Sequence, residues 1–150
     1  MAQGDITLFN EHKENEGDGT VDMDTHVFTL ALINVSVTPA ATTADPCWGA
    51  GGTTDLSAAE VTAGGNYAAG GVTITGVTFA ESGGTVTWDG NDVSIAQDAA
   101  NPATARWGII VDITPTAKPC VGYVDLGGVT DLSSGGFSIA WPGTGIYTKA

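Results

Sequence analysis

This sequence predicts an all-β fold: an antiparallel β-sandwich or barrel of about eight strands, with an extended N-terminal arm and at most one short helix. Three observations predict it. Apolar and polar residues alternate with period two along several segments, as in strands with one buried face. The composition is rich in Thr, Val and Gly, with 22 glycines, and poor in the straight-chain residues that favour helices. Turn residues separate the alternating runs at short intervals. With 150 residues, one domain is expected, large enough to remove roughly 70% of its unfolded surface from water.

Residues 1–25 stand apart as an acidic arm, leaving 26–150 as a single β domain. Asp5, Glu11, Glu14, Glu16, Asp18, Asp22 and Asp24 face only Lys13 there. Apolar residues thin out after Phe9, so Ile6, Leu8 and Phe9 read as a short anchor for docking on a neighbour. From Val27 both faces of a strand are apolar: Phe28, Leu30 and Leu32 alternate with Ala31 and Ile33. The pattern continues one-sidedly through Val35 and Val37, predicting a long strand that ends at a sheet edge. A loop over residues 38–54 carries Cys47 and Trp48. Asp55 is placed to cap one or two helical turns. The paired glycines around Tyr67 predict two turns pinned by one aromatic ring. Gly76 reads as a β-bulge, because apolar parity changes across it. Asp89-Gly90-Asn91 between alternating runs predicts a hairpin. Phe137, Ile139 and Trp141 form the last strand, ending at Pro142-Gly143.

The clearest signal is a hairpin at residues 105–127. Trp107, Ile109 and Val111 alternate with Arg106, Gly108 and Ile110, and Cys120, Gly122 and Val124 resume the pattern after the turn at Thr114–Ala117. The expected register sets Trp107 opposite Val124, Ile109 opposite Gly122, Val111 opposite Cys120, and Arg106 opposite Asp125. Tyr123 would then cover Gly108, an aromatic shielding a strand glycine. Arg106 is one of four basic residues against seventeen acidic ones, so its pairing with Asp125 reads as a register pin.

The formal charge of −13 repels phosphate backbones and anionic lipids, so neither nucleic acid nor membrane is an expected partner. No apolar run approaches a membrane span, and the first residues lack the basic and apolar regions of a secretory signal, so maturation in a cytoplasm is expected. Cys47 and Cys120 are expected as small buried thiols, with a disulfide between them left open.

No pattern of catalytic residues emerges, and an enzyme is not expected. Glu14, Glu16, Asp18 and Gly19 resemble the start of a calcium loop, but Thr25 occupies the position of the bidentate glutamate. His12 and His26 have no nucleophile elbow near them. Asp89 and Asp92 flank a turn, where aspartate caps amides. The glycine pairs lack the lysine and helix of a phosphate cradle. Trp88, Trp107 and Trp141 fall on apolar parity and are assigned to the core, whereas Trp48 lies in a loop and is a candidate for partner contact. No cofactor and no metal is expected.

Four segments carry a family likeness: GGNYAAGG (64–71), NDVSIA (91–96), ATARWGIIVD (103–112) and KPCVGYVDLGG (118–128). They resemble small structural proteins of tailed bacteriophages, including head decoration proteins, over about half of the chain. The resemblance implies a non-enzymatic virion protein and is silent on residues 1–25 and 38–54. The expected role is a capsid decoration (cement) protein on the outer capsid surface, assembled in the host cytoplasm. It would bind the major capsid protein and self-associate, as a homotrimer. Alternatives are a tail-tube or head–tail completion protein, or a carbohydrate-binding β-sandwich of a fibre or spike using Trp48 and Tyr67.

Overall fold

The computed structural model describes residues 4–150. In chain order its elements are β1 (Ile6–Leu8), α1 (Asn10–Gly17), β2 (Phe28–Ile33), β3 (Pro46–Cys47), β4 (Thr54–Asp55), β5 (Val72–Thr73), β6 (Thr78–Ser82), β7 (Thr85–Asp89), β8 (Val93–Ile95), β9 (Ala105–Asp112), β10 (Cys120–Thr130), β11 (Phe137–Ile139) and β12 (Tyr147–Lys149). A single 3-10 turn spans Leu56–Ala59, capped by Asp55, whose carboxylate accepts from Ser57 N–H as expected.

The main sheet has five strands in the order β1-β10-β9-β2-β5, antiparallel throughout. Opposite one face lie a three-stranded sheet, β12-β7-β6, and the β8–β11 pair. This is the expected sandwich, and the sheets do not close into a barrel. Phe28, Leu30, Leu32 and Ile110 meet Trp88, Val93, Phe137, Ile139 and Tyr147 in the larger core. The other face buries Ala31, Ile33, Ile109 and Val111 beneath Phe9, Trp48, Leu56 and Ala59. β2 is consequently buried along its whole length, which its two apolar faces require.

Several expectations change. The long strand stops at Ile33, because the Asn34 side chain accepts from Ser36 N–H at 2.8 Å and turns the chain. Val35 is left 63% exposed. Gly76, with φ +64°, lies between β5 in the main sheet and β6 in the three-stranded sheet, so the parity change marks a sheet crossing. Asp89-Gly90-Asn91 leads from the three-stranded sheet to the β8–β11 pair and closes no hairpin, since β7 pairs with β6 and β12 while β8 pairs with β11. The tight hairpin lies one strand earlier. Ser82 pairs with Thr85 across Gly83 and Gly84, whose φ values of +61° and +86° suit the mirror-image turns of two-residue hairpins.

The N-terminal segment folds into the domain. β1 pairs with β10 of the same chain, Phe9 is fully buried, and Val21 and Met23 enter the larger core. Residues 1–3 of the expected arm lie outside the described residues. The helix α1 was not legible because its sequence, NEHKENEG, has almost no apolar stripe, and only His12 is buried from it.

The 105–127 hairpin forms, but its register shifts. Val111 faces Cys120 as expected, a bulge at Val121 then moves the partners of Gly122 to Asp125 by one residue, and a second irregularity before Thr130 sets that residue opposite Ala105. Ile109 faces Tyr123, Gly108 faces Val124, and Trp107 faces Asp125. Tyr123 therefore does not cover Gly108; Leu30 and Val124 fill that space.

Candidate functional site

The second core is unfinished at one end. The main-sheet face that carries Ala31 and Ile33 continues along β2 to Thr29, and along β9 from Val111 to Ile113. The 3-10 turn and the Trp48 loop cover the upper part of this face only. Beyond them lies an open groove of about 600 Å³, lined among others by Thr29, Trp48, Glu60, Gly70, Ile113 and Lys118. Ile113 is 38% exposed and Val27, which accepts a hydrogen bond from Ile113 N–H at 2.9 Å, is 46% exposed. These two belong to the four large apolar residues exposed among the described residues.

Local sequence builds each wall. Trp48 is held because its N–H donates to Lys118 O at 2.9 Å, beside the Cys47–Pro119 bridge. Asp55 also accepts from Gly49 N–H at 2.8 Å, tying the Trp48 loop to the 3-10 turn. Its bond to the Ser57 hydroxyl holds the Asp55 carboxyl below the usual range. Glu60 Oε1 accepts from Tyr67 O–H at 2.9 Å and Gly70 N–H at 2.6 Å. Tyr67 is buried and its oxygen also accepts from Leu32 N–H, so it fixes Glu60 and the Gly70 turn in place. Burial is the main cause that pushes the Tyr67 phenol well up. At Gly71, φ is +87° and a Cβ would strike the Leu30 carbonyl; only glycine lets this turn pack against β2. Thr29 lies at the base, 6% exposed, and among the described residues its hydroxyl finds no hydrogen-bond partner. Lys118 takes a left-handed conformation, φ 48°, at the rim.

Next to the groove, Asp112 is fully buried, with Oδ2 2.6 Å from His26 Nδ1 and Oδ1 accepting from Thr114 N–H. Desolvation raises the Asp112 carboxyl, against the lowering effect of His26. Val27 N–H donates to Thr114 Oγ1 at 2.8 Å, so residues 22–27 are stitched to the end of β9.

A smaller cavity of about 420 Å³ lies between α1 and β12, where Lys13, Glu16, Tyr147 and Lys149 meet. Behind it His12 is fully buried, its Nε2 3.4 Å from the Tyr147 hydroxyl. Burial pushes its imidazole down to about 4, partly opposed by Glu16.

The residues singled out by sequence are dispersed. Ile6 and Leu8 are half-buried in β1, and Phe9 packs on Tyr123 with ring centroids 5.4 Å apart, so Phe9 presents nothing to a neighbour. Trp48 does reach the groove, though only 9% of it is exposed. Arg106 and Asp125 form their ion pair despite the shifted register, and this bond holds the Asp125 carboxyl down. The Arg106 guanidinium also lies 4.0 Å from the Trp107 ring centre, with Tyr123 edge-on beyond. Trp88 and Trp141 are core residues, as expected; Trp107 is half-buried beside the second core. Asp92 caps the Trp141 amide at 2.9 Å. Glu14 and Glu16 fall within α1, and among the described residues no cluster of His, Cys, Asp or Glu is arranged to hold a metal. Cys47 and Cys120 are buried free thiols, and burial raises both.

Sequence reasoning missed Thr29, Glu60 and Ile113. The signal for Ile113 was present, since an isoleucine follows Asp112 at a strand end on the apolar parity. Comparison of the chain with protein-family models, curated proteins and solved structures returns no match.

Proposed function

We propose that this chain is a structural component of a tailed-bacteriophage particle, a decoration protein bound to the outer surface of the head as a homotrimer. The resemblance of residues 64–128 to such proteins supports this reading, and the groove beside Val27 and Ile113 is the single observation that carries it. Two of the four large apolar residues exposed among the described residues, Val27 and Ile113, lie side by side at the uncovered end of the second core, which is how a surface made for a protein partner looks. The acidic remainder keeps the chain soluble and away from packaged nucleic acid. Binding in many copies across the shell would stabilise it by mass action. The contact runs through the domain face in this reading, because Phe9 serves its own core.

A second reading, a saccharide-binding domain of a fibre, draws on Trp48 and Glu60 in the same groove. Tyr67, the other aromatic expected for that role, is buried and holds Glu60 instead. A tail-tube or head–tail completion role is the third.

Purified protein mixed with undecorated, expanded heads is expected to co-sediment with them and raise their melting temperature. Absence of binding, together with self-assembly into rings or tubes, overturns the decoration reading in favour of the tail one.

A further inference from the structure

We propose that the groove between Trp48, Ile113 and Gly70 receives an extended peptide segment that presents one aliphatic side chain flanked by lysine or arginine. In the setting of the decoration reading, on which this rests, that segment belongs to the shell protein. The floor sets the central residue. Ile113 in the lining, with Val27 bonded beside it, exposes branched aliphatic surface, whereas Trp48 keeps only 9% of its surface exposed, too little for a sugar ring to stack on. An aliphatic side chain covers the first two and needs no aromatic face.

Charge sets the flanking residues. Glu60 lines the groove, Asp55 is bonded to Gly49 in its wall, and Asp22 and Asp24 lie on the turn stitched beside Val27, with Lys118 the one cation of the lining. A chain of net charge −13 adds a long-range field of the same sign. A basic segment is drawn to this rim, and an acidic one is repelled.

Thr29 supplies a third, independent indication. A buried hydroxyl without a partner costs the free protein stability, and native domains hold few such groups. Thr29 lines the groove, so a rotation of its side chain would bring this hydroxyl to an incoming peptide amide or carbonyl. The groove is thus costly to leave empty at the point where a backbone would lie.

The test is a titration of ¹⁵N-labelled protein with millimolar N-acetyl-Gly-Lys-Leu-Lys-Gly-amide, followed by the Trp48 indole N–H and the Gly70, Gly71 and Ile113 amides. Shifts confined to these groups are expected. They should be lost when the central leucine is replaced by serine, or both lysines by glutamate. Ile113→Asp, at an exposed position, should abolish them without unfolding. Thr29→Val should raise the melting temperature of the free protein and weaken the peptide about fivefold, the size of one hydrogen bond. No shift at the groove, equal shifts with the glutamate peptide, or shifts with maltohexaose in place of the peptide each overturn the proposal. Heads separate the two readings: wild-type protein that takes the peptide but ignores heads removes the decoration role alone. Ile113→Asp protein that still decorates heads removes the groove as the contact and leaves decoration standing.

Discussion

At the scale of single residues, the charged groups that matter most are those whose burial no local pattern announces. His12 sits in NEHKENEG, among acids that mark a solvated segment, yet the fold closes over it completely. Its folded value of about 4 lies below the 6.5 of the unfolded chain, so its contribution is fully present above 6.5 and is lost as pH falls through 4. The shift corresponds to about 3 kcal/mol. Asp112 acts in the opposite sense. Its raised carboxyl stabilises the fold most below 3.8, and this contribution declines as pH rises through the folded value. Wild-type protein is therefore expected to lose melting temperature between pH 6.5 and 4, and His12→Gln to lose much less. An NMR titration of the His12 ring gives a second measure. A midpoint near the ordinary value of 6.5 would refute the buried, uncharged imidazole. Arg106 and Asp125 were legible for a different reason: with so few cations, a well-placed carboxylate across a hairpin is a strong clue even when the register is one residue off.

At the scale of elements, strands with strict alternation were read correctly, the three-residue β8 and β11 included, whereas β3, β4 and β12 were not. β9 and β10 satisfy the period-two pattern, but the bulge at Val121 could not be seen, because it leaves the apolar parity of neither flank obviously broken. Asp89-Gly90-Asn91 misled for a physical reason. The same turn chemistry serves a hairpin and a crossing between sheets, and only long-range pairing distinguishes them. Gly83-Gly84 is the better two-residue signal in hindsight, since two adjacent glycines meet two positive φ values without strain. β1 and α1 form one structural unit with the domain, so shortening the chain here damages the fold. Phe9→Ala removes a fully buried ring stacked against Tyr123 and is expected to cost about 3–5 kcal/mol in chemical denaturation. A loss below 1 kcal/mol would mean that Phe9 is not a core residue in solution.

At the scale of the whole molecule, two cores share one central sheet, and the acidic surface surrounds both. The sandwich and the two-sided burial of β2 were visible in the sequence, as runs that are apolar on both faces. The groove was not, because an unfinished layer is a property of what fails to cover a face, and that depends on where the loop at 34–60 settles. The charge of −13 makes a general statement testable. Self-repulsion opposes the compact state and is screened by salt, so the melting temperature should rise by a few degrees from about 10 mM to about 500 mM sodium chloride. An unchanged or falling melting temperature would show that local pairs such as Arg106–Asp125 and Glu16–Lys149 outweigh the net field.

The clasp between α1 and β12 has a kinetic consequence. Glu16 holds Lys149 and Tyr147 packs edge-on against His12, so the helix at residues 10–17 leans on a strand near residue 149. An eight-residue helix with so little apolar surface has no stability alone. Residues 10–17 therefore gain their full support only once Lys149, 133 positions after Glu16, has been made and docked. Such distant closure is slow, and it places the docking of β12 against α1 late in folding.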